Sequence, residues 1–260
     1  MTTTDLRPPG IFGWRPGSSE RSNVDFSVTF PLTGIRRRGD YPRFELPQGG
    51  AAVGVLQLPT VFVRGVKRAT DIALSLIALV CLLPVLLTAA LAVKVTSPGP
   101  VLFRQVRVGL SGRTFRVLKF RSMTQDAESV VAELMADNGG FVPFCKIQND
   151  PRVTAVGRFL RRTSIDELPQ LVNVLKGQMS LVGPRPLPEA EAAQFALQHC
   201  RRVLVKPGMT GLWQISGRSD LVWHDAVRLD MKYADSWTLR GDLVIMLRTI
   251  RVVLTSRGAY

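Results

Sequence analysis

Two adjacent carboxylates, Asp166 and Glu167, lie in the segment 164–170, which reads SIDELPQ. Ser164 and Glu167 have the spacing of a capping box and an apolar run follows, so we expect a helix to begin here. Asp166 would then lie near the positive end of the helix dipole, which favours its ionised form and a bound phosphate. Capped surface helices commonly carry such acids, so the pair alone does not establish a site.

Basic residues accumulate on both sides of these carboxylates. We expect a helix that opens at residues 149–151 (NDP) and continues to Arg162, with one apolar face and one basic face. This pattern is typical of a helix that lies on a membrane surface. On the C-terminal side, the segment 183–186 reads GPRP and adds Arg185.

A β-hairpin is predicted at residues 101–120. Two strand-like segments, 101–108 and 114–120, are joined by the turn residues 109–112. The second strand ends in Lys119 and Arg121, whose charges suit a diphosphate. Alternating cations on a strand more often mark a solvated face, so this spacing is a weak signal.

The segment 72–93 is apolar and contains no charged residue. It is long enough to cross a bilayer as a helix. Pro84 lies in its middle and would kink that helix, and basic residues flank both of its ends. The residues therefore leave two alternatives open: a spanning helix, or a re-entrant hairpin that enters and leaves on one face.

Composition narrows the class of protein. The chain has 260 residues, a formal net charge of +14 and 46% hydrophobic residues, which favours an anionic partner such as a phospholipid surface or nucleic acid. Three cysteines without a Cys-x-x-Cys pair predict neither a disulfide framework nor a zinc site, and favour a reducing, cytoplasmic compartment. We divide the chain into a largely disordered extension (1–62), a membrane helix region (63–98) and a catalytic domain on the membrane surface (99–260).

Several motifs, taken in order, resemble the monotopic phosphoglycosyl transferases, the bacterial sugar transferases that start glycan assembly on a lipid carrier. The resemblance covers about residues 64–255, and the short chain is similar to the exopolysaccharide-initiating members. Each motif alone is weak, but the ordered set is specific. The motifs are the apolar segment with Pro84, KFRSM at 119–123, DELPQ at 166–170, GPRP at 183–186, PGMTG at 207–211 and GR at 217–218.

The resemblance implies an α+β fold, predominantly helical, with a re-entrant membrane helix, a small β-hairpin and amphipathic interfacial helices around the active site. It also implies a reaction at the cytoplasmic face of the bacterial inner membrane. Sugar-1-phosphate would pass from a UDP-sugar donor to polyprenyl (undecaprenyl) phosphate, with release of UMP and with Mg²⁺ as cofactor. The sugar is expected to be glucose or galactose from the resemblance alone, because no residue reads out a hydroxyl configuration.

Roles for individual residues follow from the same resemblance. Asp166 is implied as the nucleophile, and Glu167 would hold Mg²⁺ with Asp166 or tune it. Pro84 would form the turn of the re-entrant helix, although Leu83 stands where many small members have a serine that can help to set the kink. The residues implied in substrate binding are Lys119, Arg121, Arg161, Arg185, Pro207, Gly208, Thr210, Gly211 and Arg218.

Three other classes explain part of the pattern. A glycosyltransferase that releases UDP usually has a nucleotide-binding α/β domain, and no repeated βαβ pattern is present. A non-catalytic basic membrane scaffold explains the charge and the apolar segment but not the Asp166–Glu167 pair. Nucleic-acid binding explains only the charge, so we expect phospholipid rather than nucleic acid as the partner. A homodimer is one alternative for the oligomeric state.

Overall fold

The computed structural model describes residues 61–125, 150–192, 197–217 and 223–255. The predicted N-terminal extension, 1–62, lies outside these ranges except for its last two residues, which belong to the first helix. Helices and short strands alternate within the described ranges, so the predicted α+β class is confirmed.

Two helices, α1 (Val61–Cys81) and α2 (Leu83–Thr96), contain the apolar segment and are bent by 63° at the break between them. Pro84 lies in the first turn of α2, where its missing N–H cannot bond to the carbonyl one turn earlier, so the predicted kink is confirmed. In the described part of the chain, neither helix alone is long and apolar enough to span a membrane. The bent pair together meets that criterion by length and composition.

The predicted hairpin is formed by β1 (Leu102–Val108) and β2 (Thr114–Phe120), which pair antiparallel. Phe103 is opposite Lys119, and Arg107 is opposite Phe115. Because side chains alternate between the two faces of a strand, Arg107 and Lys119 project from the same face of the ribbon.

The carboxylate segment follows α3 (Ala155–Arg162) and consists of a 3₁₀ turn (Ile165–Glu167) and the helix α4 (Gln170–Leu175). The predicted capping box is wrong, because Ser164 has φ 58° and its side chain makes no cap hydrogen bond. Ser164 ends α3: its N–H donates to the carbonyl of Arg161 at 3.1 Å, and a left-handed residue is common in that position.

The predicted start of α3 at residues 149–151 is also wrong. The helix begins at Ala155, where the Thr154 hydroxyl accepts a hydrogen bond from the Gly157 N–H at 2.9 Å. Asp150 instead accepts two hydrogen bonds from the Arg152 side chain, at 2.6 and 2.8 Å. A threonine cap at residue 154 therefore sets the start of this helix, four residues after Asp150.

The rest of the chain packs around the hairpin. Strands β3 (Ser180–Val182) and β5 (Gly208–Thr210) pair in parallel, and β4 (Leu187–Pro188) adds to the free edge of β1. In the sequence, α5 (Glu189–Ala192) and a 3₁₀ helix (Leu197–Leu204) lie between β4 and β5. The last three helices are α6 (Leu212–Ile215), α7 (Trp223–Asp235) and α8 (Leu239–Leu254).

Both ends of the bent helix pair are packed on this domain. Near the start of α1, Lys67 Nζ lies 2.6 Å from Asp242 Oδ2 of α8, and Arg68 donates to the carbonyls of Val174 and Leu175 at 2.6 and 2.8 Å. At the other end, buried side chains of α2 pack against the hairpin and α3 in one core cluster, formed by Ala89, Val93, Phe120 and Leu160. Around the bend the large apolar side chains are exposed, as for Leu76, Ile77, Val80, Leu83 and Leu87.

Gly157 lets α3 lie directly on the chain that leaves β2. A Cβ at this position would lie 2.0 Å from the carbonyl oxygen of Ser122. We therefore expect Gly157→Ala to destabilise the protein by about 1–3 kcal/mol, because the backbone must shift to admit the methyl group. Thermal unfolding in detergent measures the change. Gly65→Ala on α1 is the matched control, since no atom lies within 4 Å of its Cβ position, and it should be neutral or stabilising. An unchanged midpoint in Gly157→Ala would contradict the close packing.

Candidate active site

Three elements bring opposite charges together at one end of the hairpin. Lys119 at the end of β2 places its Nζ 2.7 Å from Glu167 Oε1 in the 3₁₀ turn. Arg185, in the loop between β3 and β4, places Nη1 3.6 Å from the same oxygen. The Arg185 guanidinium also lies over the Trp213 ring, with Cζ 5.2 Å from the ring centroid. The predicted grouping of Lys119, Glu167 and Arg185 is thus found in the structure.

Asp166 is buried, with 8% of its surface exposed. Among the residues that the structure describes, no hydrogen bond or ion pair holds its carboxylate. Burial raises the pKa of Asp166 to about 6, and the negative charge of Glu167 adds to the rise. The nearby charges of Lys119, Arg161 and Arg185 counteract it. Asp166 is therefore ionised at neutral pH, but it is more basic than an ordinary carboxylate.

The pKa of Glu167 is shifted in the opposite direction. Burial would raise its pKa, but the Lys119 ammonium and then the Arg185 guanidinium hold it at about 2. Burial also lowers the pKa of Lys119, and the Glu167 charge counteracts that shift. The two neighbouring carboxylates are thus distinguished by their surroundings: Glu167 is neutralised by direct ion pairs, and Asp166 interacts with the cations at longer range.

Arg161 extends from the last turn of α3 toward Asp166. Its Nε donates to the Ser122 hydroxyl at 2.8 Å. Burial lowers the pKa of Arg161, and the Asp166 charge counteracts this. In contrast, Arg158 and Arg162 on the same helix are exposed, so the basic face expected from the sequence is divided between the site and solvent.

A small pocket that is open to solvent lies beside Glu167. Two of the residues that line it, Arg107 and Gln170, were not among the predicted site residues. The hairpin register was the available signal for Arg107, because it places this residue on the same strand face as Lys119. The Arg107 guanidinium donates to the Pro186 carbonyl at 2.9 Å and so joins β1 to the Arg185 loop.

Two predicted substrate-binding side chains make other contacts. The Arg121 guanidinium is buried at the end of α2, where it donates to the carbonyl and the hydroxyl of Ser97, both at 2.7 Å. The Thr210 hydroxyl lies 2.7 Å from the Thr249 hydroxyl of α8. Both side chains thus connect elements of the fold here, and their roles toward substrate stay predictions.

The predicted glycine loop at 207–211 packs closely against the backbone of Gly183. A Cβ on Gly208 would lie 2.0 Å from the Gly183 nitrogen, and one on Gly211 would lie 2.3 Å from the Gly183 oxygen. Pro207 accepts a hydrogen bond from the Ser180 N–H at 2.8 Å. The close approach that the structure shows is therefore between this loop and the Arg185 loop. Gly208 also lines the pocket, whereas Arg218 lies outside the described residues.

The predicted Mg²⁺ site can be compared with the available donors. No group of three or more His, Cys, Asp or Glu side chains suited to a metal is present within the described ranges. Mg²⁺ is commonly held by only one or two carboxylates, with water and substrate phosphates completing its coordination. Asp166 and Glu167 supply two adjacent hard oxygen donors, and the raised pKa of Asp166 shows that this carboxylate would gain from a nearby cation. The residues present fit the ion.

This arrangement favours chemistry on a phosphate. A buried carboxylate without a bonded partner can act as a nucleophile, and the surrounding cations can offset the charge of an anionic substrate. Lys119 and Arg185 are both oriented by Glu167, and the Arg185 side chain is partly exposed at the pocket.

Comparison with known proteins also indicates an enzyme that acts on phosphates. The family model for the bacterial sugar transferases matches residues 62–256. The chain is 45% identical over 202 residues to an undecaprenyl-phosphate galactose phosphotransferase of Salmonella typhimurium, 76% of this chain and 42% of that protein. It is 42% identical over 204 residues to the exopolysaccharide production protein ExoY of Sinorhizobium fredii, 75% of this chain and 88% of that protein.

A third relative is the UDP-glucose:undecaprenyl-phosphate glucose-1-phosphate transferase of Escherichia coli. The identity is 41% over 230 residues, which are 85% of this chain and 47% of that protein. The chain thus spans less than half of the Salmonella and Escherichia relatives and most of the Sinorhizobium one. Since the family model covers three quarters of its length and every predicted motif, the chain belongs to the bacterial sugar transferase family.

Proposed function

We propose that this protein is a phosphoglycosyl transferase, which moves a hexose-1-phosphate from a UDP-sugar to undecaprenyl phosphate and releases UMP. The observation that carries the proposal is the asymmetry of the two carboxylates. Glu167 is held by Lys119 and Arg185, whereas the Asp166 carboxylate is buried beside the same cations without a bonded partner in the described structure. A transferase that uses a covalent intermediate requires such a nucleophile.

The relatives support the acceptor and the donor. The names of the Salmonella and Escherichia proteins contain undecaprenyl phosphate, and the Escherichia name contains UDP-glucose. One name specifies galactose and another specifies glucose, so both hexoses stand as candidates here. The name of the Sinorhizobium relative supports a place at the start of exopolysaccharide assembly.

In the first step, a carboxylate oxygen of Asp166 attacks the phosphorus that bears the sugar. The bond from this phosphorus to the bridging oxygen of the diphosphate breaks, and UMP leaves with the electron pair. The sugar phosphate is then joined to Asp166 as an acyl phosphate. The reaction needs no proton from the enzyme, because the leaving phosphate is stabilised as an anion.

In the second step, a phosphate oxygen of the lipid acceptor attacks the same phosphorus. The bond to Asp166 breaks, and the carboxylate is regenerated. A polyprenyl-diphosphate-sugar remains in the membrane. Two substitutions at one phosphorus allow the donor and the acceptor to use a single site in turn.

Positively charged residues offset the repulsion between the negatively charged reactants in both steps. A carboxylate and a diphosphate repel each other, so positive groups must lie where they meet. Lys119 and Arg185 lie beside Glu167 at the pocket, and the positive charge of Arg161 also acts on Asp166. Mg²⁺, held by Asp166 and Glu167, would supply further positive charge at the leaving phosphate.

The contacts of α1 and α2 support a re-entrant placement in the membrane. The start of α1 is bonded to α8 and α4, and the end of α2 is packed on the hairpin and bonded to Arg121. Both ends thus contact one domain, whereas a spanning helix would place its ends on opposite sides of the bilayer. The exposed apolar side chains around the 63° bend would then enter one leaflet from the cytoplasmic face of the inner membrane.

This topology predicts that both ends of the helix pair are cytoplasmic. Cysteines introduced at Phe62 and at Pro98, both exposed, would be tested in a background with Cys81, Cys145 and Cys200 replaced by serine. A membrane-impermeant maleimide should label neither position in spheroplasts and both positions after permeabilisation. Labelling of one end from outside would show a spanning arrangement.

The reaction is tested with purified protein in nanodiscs, undecaprenyl phosphate, Mg²⁺ and a panel of UDP-sugars. The nucleotide that is released identifies the class of transfer reaction. We expect UMP, dependent on both lipid phosphate and Mg²⁺, with the sugar identified by the donor that supports turnover. Release of UDP would show ordinary glycosyl transfer, and no nucleotide release from any donor with folded protein would contradict the proposal.

A further inference from the structure

The backbone of Arg185 is held by a buried ion pair that lies outside the pocket. Arg202, in the 3₁₀ helix, donates from Nη2 to the carbonyl oxygen of Arg185 at 2.9 Å. The same nitrogen donates to the carboxylate of Asp230 on α7. The two side chains are only 5% and 4% exposed.

The carboxylate of Asp230 also lies near the backbone N–H of Arg185. Burial raises the pKa of Asp230 to about 6, and both the Arg202 guanidinium and the backbone N–H of Arg185 counteract this rise. The Arg185 carbonyl is therefore bonded to the Arg202 side chain, which is in turn paired with the carboxylate of Asp230. Arg185 lies in the connection between β3 and β4. The carbonyls on either side of it, at Pro184 and Pro186, accept hydrogen bonds from Gly208 and Arg107, and the Arg202 side chain adds support at Arg185 itself.

Helix α7 contacts this connection at a second point. Tyr233, one turn after Asp230, donates from its hydroxyl to the carbonyl of Val182 at 2.9 Å. Residues three apart lie on the same face of a helix. One face of α7 thus bonds the backbone at Val182 directly and holds Arg202, which bonds the backbone at Arg185.

We infer that Arg202 and Asp230 are positioning residues for the transfer reaction, which fix the backbone of Arg185 so that its guanidinium meets the phosphate of the donor beside Glu167. This inference rests on the proposed function. Neither side chain is assigned contact with the substrate. Their role is to fix the position of the Arg185 backbone, from which its side chain extends toward Glu167.

Physical reasons favour this role over one in stability. A buried ion pair adds little net stability, because the cost of desolvating both charges offsets their attraction. The Arg185 side chain is long and partly exposed. Among the residues that the structure describes, its position is defined by its backbone, Glu167 and Trp213. A displacement of about 1 Å at a group that acts in the transition state can lower a rate about 100-fold.

The pair is tested by removing both charges together. Arg202→Met with Asp230→Leu replaces the ion pair by apolar side chains, which leaves no buried charge without a partner and should preserve folding. Asp230→Asn is the second variant, because it keeps the shape of the side chain and removes only its charge. The matched control is Arg228→Met with Asp225→Leu, which removes the exposed pair on the same helix, 80% and 46% exposed. Thermal unfolding is measured for all variants.

We expect UMP release to fall about 10- to 100-fold in the buried-pair variant, with a thermal midpoint near that of the unaltered protein. The control pair should leave the rate unchanged. Asp230→Asn should lie between them. A rate near that of the unaltered protein in both buried-pair variants would overturn the inference.

A mutant cycle with Arg185→Ala separates positioning from a general structural effect. If the pair acts through the Arg185 side chain, its removal should lower the rate little further once that side chain is gone. If the two losses multiply instead, the pair acts elsewhere and the inference is wrong. Failure of the proposed function is a different result, because the unaltered protein would then release no UMP.

Discussion

Replacing Asp166 with asparagine is expected to lower the rate of UMP release by at least about 10³-fold, since removal of a catalytic nucleophile has effects of this size or larger. Asparagine has nearly the same shape, so the fold should be retained. It lacks the negative oxygen that would attack phosphorus. The loss should appear in the first half-reaction, with donor and Mg²⁺ alone, and not only in the presence of the lipid acceptor.

Asp225→Asn is a suitable control, because Asp225 lies on the surface of α7, paired with the exposed Arg228. It should leave the rate near that of the unaltered protein. If Asp166→Asn is folded, bound to membrane and still releases UMP at a tenth of the original rate or more, Asp166 is not the nucleophile. If the protein were a non-catalytic scaffold, the unaltered protein would release no UMP and no variant could change that rate.

The second large effect is expected for Lys119→Met. This change removes the cation 2.7 Å from Glu167, so this partly exposed carboxylate is left with Arg185 at 3.6 Å as its nearest described cation. The diphosphate then meets more negative charge at the pocket. We expect UMP release to fall about 10²- to 10³-fold, the range found when one group that stabilises transition-state charge is removed.

Two controls separate charge from shape in this variant. Lys119→Arg retains the positive charge and should recover part of the rate. Arg104→Met removes a cation from the same hairpin, but Arg104 is exposed and on the opposite strand face, so its rate should be near normal. Equal losses in Lys119→Met and Arg104→Met would mean that total charge, and not the pair with Glu167, sets the rate.

Local patterns in the sequence were sufficient for part of the fold. The alternation of residues 101–120 defined the hairpin, because strand and turn preferences act over a few neighbouring residues. Pro84 defined the bend, because a proline inside a continuous apolar helix removes a backbone hydrogen bond. The grouping of Lys119, Glu167 and Arg185 followed from the family resemblance, since no local rule brings these three segments together.

Other features depended on contacts between distant segments. The capping box failed at Ser164 because the end of α3 fixes its backbone in the left-handed region, which a pattern starting at Ser164 cannot reveal. The contact of the Arg121 side chain with Ser97 depends on the packing of α2 on the hairpin. The Arg202–Asp230 pair joins residues 28 positions apart, and no spacing rule connects them.

Intact-protein mass spectrometry tests the central claim most directly. The protein is mixed with Mg²⁺ and the active UDP-sugar without lipid acceptor, quenched in acid and compared with Asp166→Asn. The account predicts a mass increase of one hexosyl-phosphoryl group, mapped by peptide analysis to Asp166, absent from the variant and lost when undecaprenyl phosphate is added. An adduct that persists in Asp166→Asn, or UMP release at full rate without any adduct, would contradict it.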